Sequence, residues 1–246
     1  MEGDRLTVGE PEPEPVLGPG ALGAFDDSGV TGSCIVDHGG RKHLYYSGWS
    51  RGVTVPFYFY AGLAVSLDGG RTFERVSEAP VMERSAVDPY LTASPWVLVE
   101  EGRWRAWYVS CTGWFEGPGG PVHRYHVRYA ESVDGVTWQR DGTVALDFAG
   151  PHEYAFGRPC VRPLPGGGYE MRFSVRGDAY RLGVARSDDG LRWRRVEEEP
   201  PAPGDWDAEM ATYPVVFDHE DATFMLYNGN GYGASGTGYA IDRHGA

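Results

Sequence analysis

Long apolar runs are missing from this chain, and none approaches the roughly 18 residues that a membrane-crossing helix requires. The start, Met1-Glu2-Gly3-Asp4-Arg5, is acidic and leads into no apolar stretch of the kind a secretory leader carries. Both absences predict a soluble, cytoplasmic protein. Basic residues are scarce as well: 22 Lys plus Arg stand against 35 Asp plus Glu, for a net charge of −13. That balance excludes nucleic acid and anionic membrane as partners, because both demand a basic face. A small neutral ligand is not excluded. Cysteine is rare too. Cys34, Cys111 and Cys160 are odd in number and lack metal-ligand spacing, so buried free thiols are expected and no metal or cofactor is called for. Sustained helical periodicity is absent, whereas 36 Gly, 18 Pro and 13% aromatics favour many short strands joined by turns. At 246 residues such an all-β chain can bury a substantial core.

One stretch occurs three times: Ser66-Leu67-Asp68-Gly69, Ser132-Val133-Asp134-Gly135 and Ser187-Asp188-Asp189-Gly190. Phe73, Trp138 and Trp193 close the three copies, and a short basic run follows each: Glu74-Arg75-Val76, Gln139-Arg140 and Arg194-Arg195-Val196. The reading is strand, tight turn, strand. Gly supplies the positive φ of the turn, and the Asp carboxylate caps its N–H groups. The pattern resembles the Asp-box hairpin on the rims of β-propeller blades, a structural element, so the chemistry must lie elsewhere.

Residues 1–20, with Glu10-Pro11-Glu12-Pro13-Glu14-Pro15, read as an extended arm. Residues 21–246 then fall into four units of repeat size. Their first strands begin near Ser33, Ser94-Pro95, Arg158-Pro159 and Tyr213-Pro214, and their second strands are rich in aromatics. Repeated three- or four-stranded units are the mark of a β-propeller, with four blades visible.

An acid sits upstream of each first strand: Asp27, Asp88, Glu153 and Glu209, with Asp207 beside the last. Innermost strands of a propeller line its axis, so these acids are expected to converge on one cavity. Clustered carboxylates push their pKa values apart and can supply both a proton donor and a base.

The ordered series Phe25-Asp26-Asp27-Ser28-Gly29, Val87-Asp88-Pro89-Tyr90, His152-Glu153-Tyr154, Asp205-Trp206-Asp207-Ala208-Glu209 and Asn228-Gly229-Asn230-Gly231 resembles the five-bladed β-propeller glycoside hydrolases of families 32, 43, 62, 68 and 130. It is most similar to a bacterial glycosyl hydrolase-like branch found with sugar-biosynthesis genes. The resemblance covers about residues 16–242. It implies a five-bladed propeller with Asp27 as nucleophile or general base, Asp88 orienting substrate and tuning pKa, and Glu153 as general acid. Asp26 competes with Asp27, and register with Glu153 favours Asp27. Two carboxyl groups across a sugar ring are what glycosidic cleavage needs. A Ca²⁺ ion in an acidic channel is compatible with the same resemblance.

Several further residues suit a sugar-sized pocket. Glu209 and Asp207 could hydrogen-bond hydroxyls, Trp49 and Trp114 could stack on a pyranose or simply fill the core, and His152 could modulate Glu153. Arg84, Arg158 and Arg176 could bind a phosphate or carboxylate, with Arg158 the best placed. Asn228 and Asn230 are turn formers first and ligand contacts second. The sequence therefore supports a carbohydrate-active enzyme working on a small or nucleotide-linked sugar. Two alternatives stand beside it: a scaffold recruited for phosphorolysis, dehydration or cyclisation in a biosynthetic pathway, and a non-catalytic sugar-binding module.

Overall fold

The computed structural model describes residues 9, 10, 12–199 and 201–243. Nearly all regular structure among them is strand. The first unit runs β1 (Gly29–His38), β2 (Arg41–Arg51), β3 (Phe57–Ser66) and β4 (Glu74–Arg75), each antiparallel to the one before. The second repeats it as β5 (Thr92–Glu100), β6 (Arg103–Gly117), β7 (Gly120–Ser132) and β8 (Val144–Leu146). The third is β9 (Ala155–Pro163), β10 (Tyr169–Arg176), β11 (Tyr180–Ser187) and β12 (Arg194–Val196). The fourth has three strands, β13 (Thr212–His219), β14 (Ala222–Asn228) and β15 (Thr237–Arg243). A single parallel bridge, Tyr125 to Ala155, joins the second unit to the third.

These are blades in order around an axis, because β1 packs on β5, β5 on β9 and β9 on β13. The apolar core lies between blades. Tyr45, Trp104 and Tyr108 fill the space between the first two; Trp107, Phe156 and Phe173 fill that between the second and third. Cys160, Val216 and Tyr227 occupy the next gap. The aromatic-rich second strands supply the largest fully buried side chains, since a flat ring fills the roughly 10 Å between stacked sheets.

The second and third copies of the repeated turn each fasten a blade to its predecessor. In all three, the Ser Oγ donates to the Asp carboxylate and accepts a Gly N–H, while the carboxylate accepts two further N–H groups. These bonds hold the carboxyls of Asp68, Asp134 and Asp189 below their ordinary range. Tyr45 of the first blade donates to Gly135 O in the second blade's turn (2.7 Å), and Trp107 of the second donates to Gly190 O in the third's (2.8 Å).

The expected closed ring of five blades is not built by the described residues: they form four blades, and no sheet closes on itself. Residues 12–28, ahead of β1, adopt bends and turns in place of further strands. From that segment Leu17 and Phe25 pack on the first blade beside Leu44 and Tyr46, so the arm is docked at its C-terminal end. Residues 1–8 and 11 of the arm lie outside the described residues. No helix among the described residues is long and apolar enough to cross a membrane.

Candidate functional site

The aligned acids answer to a common geometry, and it is one of latches. Asp26, just before β1, accepts from Tyr46 Oη of β2 (3.1 Å) and Arg75 Nε of β4 (2.8 Å). Asp88, before β5, accepts from Tyr108 Oη of β6 (3.0 Å), Ser110 Oγ (2.5 Å), Arg140 Nη1 (3.0 Å) and Arg128 Nη1 (3.3 Å). Asp207, before β13, accepts from Tyr227 Oη of β14 (2.9 Å) and from Gly204 N–H (2.6 Å). In each case the tyrosine follows its acid by 20 residues. The third blade has Phe173 at that place, and Glu153 is instead gripped in two-pronged fashion by Arg195 of β12 at 2.7 and 2.6 Å. Burial pushes the Glu153 carboxyl up, and Arg195 with the Ala149 N–H outweighs it, leaving the pKa below its ordinary value. Burial and the adjacent acids raise the phenols of Tyr46, Tyr108 and Tyr227, which therefore stay neutral donors.

The three residues expected to be catalytic are thus not assembled into one pocket. Asp27 accepts from Gly23 N–H and Ser28 Oγ within its own loop, and the buried, latched position belongs to Asp26. Asp88 is fully buried, with both carboxylate oxygens occupied. Neither these nor Glu153 lines the central cavity. The sequence register singled out Asp27 and Glu209, whereas the latched acids are Asp26, Asp88, Glu153 and Asp207, each tying the segment ahead of its blade to a later strand or turn of that blade.

Most of the other candidates also serve locally. Trp49 pairs with Gly29 and lays its indole where that glycine leaves room. Trp114 packs edge-on against Phe57 and His123. Arg84 donates to Tyr90 O and lies over the Tyr58 ring. His152 and Glu209 are exposed. Asn230 Oδ1 accepts from Glu209 and Met210 N–H while its amide donates to Asp205 O, and Asn228 donates to Tyr232 O. Asp207 is buried in its latch.

Arg158, by contrast, lines a cavity. A cavity of about 200 Å³ opens among all four inner strands, lined by Thr31, Ser94, Arg158 and Tyr213 with Tyr125 and Tyr180 from the third strands of their blades. At Ser94, Arg158 and Tyr213 the first strand bulges, and φ is 47°, 34° and 59°. Each is followed by proline, which a bulge accommodates because no ladder N–H is needed there. Positive φ at non-glycine residues is strained backbone, and here it turns three side chains toward the axis. Tyr125 and Tyr180 hydroxyls are 3.3 Å apart, and Tyr125 stacks on His123 at 4.4 Å. Arg176 lies over Tyr180 and donates to Tyr232 Oη. Burial lowers the His123 pKa to about 4, so its imidazole is neutral near pH 7. Ser94, Tyr125, Tyr180 and Tyr213 escaped the sequence reading. The repeated residue-before-proline in three of the four first strands was the signal for two of them.

Among the described residues no cluster of three or more His, Cys, Asp or Glu is arranged to hold a metal ion. The cavity offers a guanidinium and no carboxylate, which does not fit the Ca²⁺ ion considered for an acidic channel.

No protein-family model matches the chain. Over 231 residues it is 44% identical to an uncharacterized protein of Mycobacterium tuberculosis strain CDC 1551, covering 93% of this chain and 76% of that one. The uncharacterized protein Rv1502 of strain H37Rv is 43% identical over the same shares. The chain belongs to their family. Among solved structures, the family's fold is similar to a thermostable family-43 glycoside hydrolase (16% identical, TM-score 0.64, 85% of this chain and 69% of that one). It is similar also to a family-130 protein from work on mannoside phosphorylases and hydrolases of β-1,2 mannosidic linkages in Candida mannan (17%, TM-score 0.62, 92% and 72%). A silkworm (Bombyx mori) family-32 β-fructofuranosidase matches with TM-score 0.61 at 17% identity, over 80% of this chain and 42% of that one. The fold of this chain is thus similar to that of these glycoside hydrolases.

Proposed function

We propose that this protein recognises a small carbohydrate in the cavity among its inner strands, as a sugar-processing member of the glycosidase-type propellers. The observation that carries the reading is the cavity's lining: strained bulges from successive blades turn Ser94, Arg158 and Tyr213 inward, and tyrosine faces and hydroxyls surround them. Aromatic faces with a few convergent hydroxyl and guanidinium donors match what a sugar offers, apolar C–H patches ringed by hydroxyls. Titration calorimetry against a panel of monosaccharides tests it. Saturable binding that Tyr213→Ala or Tyr125→Ala weakens at least tenfold is expected. Binding indifferent to both substitutions overturns it.

Glycosidic cleavage by Asp27, Asp88 and Glu153 is the second reading, favoured by the glycoside hydrolases among the structural neighbours. It requires Arg195 to release Glu153 when substrate arrives, because that carboxylate is fully engaged. Turnover of aryl glycosides abolished in both Asp27→Asn and Glu153→Gln, with sugar affinity intact, is the result that establishes it. If those variants retain the wild-type rate, this reading is excluded and the binding reading stands.

A further inference from the structure

Among the described residues, partly buried arginines are paired almost as a rule. Arg75, Arg105, Arg140, Arg162 and Arg195 each reach a carboxylate. Arg158 breaks the rule at the centre of the fold. Its Nε is buried without a hydrogen-bond partner, and its guanidinium carbon lies 5.2 Å over the Tyr213 ring. The groups whose fields oppose the cost of its burial are Tyr213, Cys34 and Cys160, none of them a carboxylate. Two more unpartnered nitrogens belong to the same aromatic cluster: Arg176 Nε and His123 Nε2. His123 stacks on cavity-lining Tyr125, and Arg176 lies over cavity-lining Tyr180.

An uncompensated buried cation is costly, and one held on a strained backbone is costlier still. Arg158 has φ 34° and precedes Pro159. Folds retain such groups where a ligand completes them. The chain carries a net charge of −13, so this local excess of positive charge is also opposite in sign to the whole. From the cavity, the missing partner and the strain together, we infer that the ligand of the central cavity carries an anionic group, a phosphate or a carboxylate on a sugar-sized body, received by Arg158 with Arg176 as a second cation.

Arg158 is suited to that task in a way lysine is not, because its planar fork matches two oxygens of a phosphate or carboxylate at once. Tyr125 and Tyr180 remain neutral, since burial drives both phenols above their ordinary range, so they can donate to the ligand without repelling its charge. The inference rests on the central cavity being the ligand site, and it narrows the ligand from any small sugar to an acidic or phosphorylated one.

The experiment is titration calorimetry on the full chain with four probes: inorganic phosphate, glucuronate, mannose 6-phosphate and mannose. Wild type, Arg158→Met, Arg158→Lys and Arg176→Met are compared, with each unliganded melting temperature recorded. At least one anionic probe should bind tenfold or more tightly than mannose. Arg158→Met should erase that difference, Arg158→Lys should keep part of it, and Arg176→Met should reduce it. Arg158→Met should also melt higher than wild type when unliganded, because an unpaired buried charge has been removed; a purely structural arginine would move the melting temperature down. Preference for phosphate-bearing probes or for glucuronate tells the two sources of charge apart. If inorganic phosphate binds through Arg158 while no sugar does, the anion site stands and the carbohydrate reading falls. If mannose binds as well as the anions, or if Arg158→Met leaves anion binding unchanged, the inference is overturned while the carbohydrate reading survives. If none of the three anions binds wild type, it is overturned outright.

Discussion

Asp88 shares its two oxygens among two arginines, a tyrosine and a serine with no water-exposed surface of its own. Asp88→Asn leaves Arg128 and Arg140 facing a neutral amide, so a loss of about 3 kcal/mol of stability is expected by chemical denaturation. Asp27→Asn, one residue from the latched Asp26, removes only loop contacts and should cost about 1 kcal/mol or less. Glu153 supplies a pH handle. Its pKa lies below the ordinary 4.5, so its latch contributes stability above that value and loses it as pH falls through the depressed one. Arg195→Met should therefore be less stable than wild type near neutrality, and the gap should close as denaturation is repeated from about pH 6 down to about pH 3. At this scale the sequence was half legible. It displayed the acids in register and, separately, the arginines after each turn. What paired them was antiparallel return of the chain: Arg75 lies 49 residues beyond Asp26 and Arg195 42 beyond Glu153, distances at which no local pattern operates.

The repeated turn is the element on which blade contact depends, and its glycine shows why. A Cβ on Gly135, at φ 73°, would stand 2.7 Å from the Tyr45 hydroxyl and 2.8 Å from the Trp104 ring. At Gly69, the same place in the first copy, φ is 83° and nothing lies within 4 Å. Gly69→Ala then carries only the left-handed backbone cost, about 1 kcal/mol. Gly135→Ala adds overpacking of a further 1–3 kcal/mol or so, and thermal melts of the two variants should separate clearly. Strand order and turn chemistry were readable because they are local. The bulges were not, although Ser94-Pro95, Arg158-Pro159 and Tyr213-Pro214 mark their places: a proline, which cannot donate to a ladder, is confined to edges and bulges.

For the whole molecule, the thiols report how the blades open. Cys34 Sγ accepts Val97 N–H and Cys160 Sγ accepts Val216 N–H, each across a blade interface at 3.3 Å. Burial pushes both thiols up to about 12. Native protein should thus be inert to a thiol reagent such as Ellman's, with Cys34, Cys111 and Cys160 all titrating after denaturation. Rapid reaction of any of them in native buffer would mean that blades part without global unfolding. Blade number up to four was legible from the repeats. Closure was not, since it depends on which long-range faces meet. The turn at Gly69 meets none of the partners its two counterparts have.

The latches draw every member from their own blade: Asp26 with Tyr46 and Arg75, Asp88 with Tyr108 and Arg140, Glu153 with Arg195, Asp207 with Tyr227. A segment that carries its own fastening can be copied in a gene and inserted beside itself without waiting for compensating changes elsewhere. Once copied, the residue at its bulge is free to differ, and three blades carry Ser94, Arg158 and Tyr213 on the same kind of backbone kink. Duplication multiplies the frame, and drift at a single codon per copy rewrites what the frame can hold.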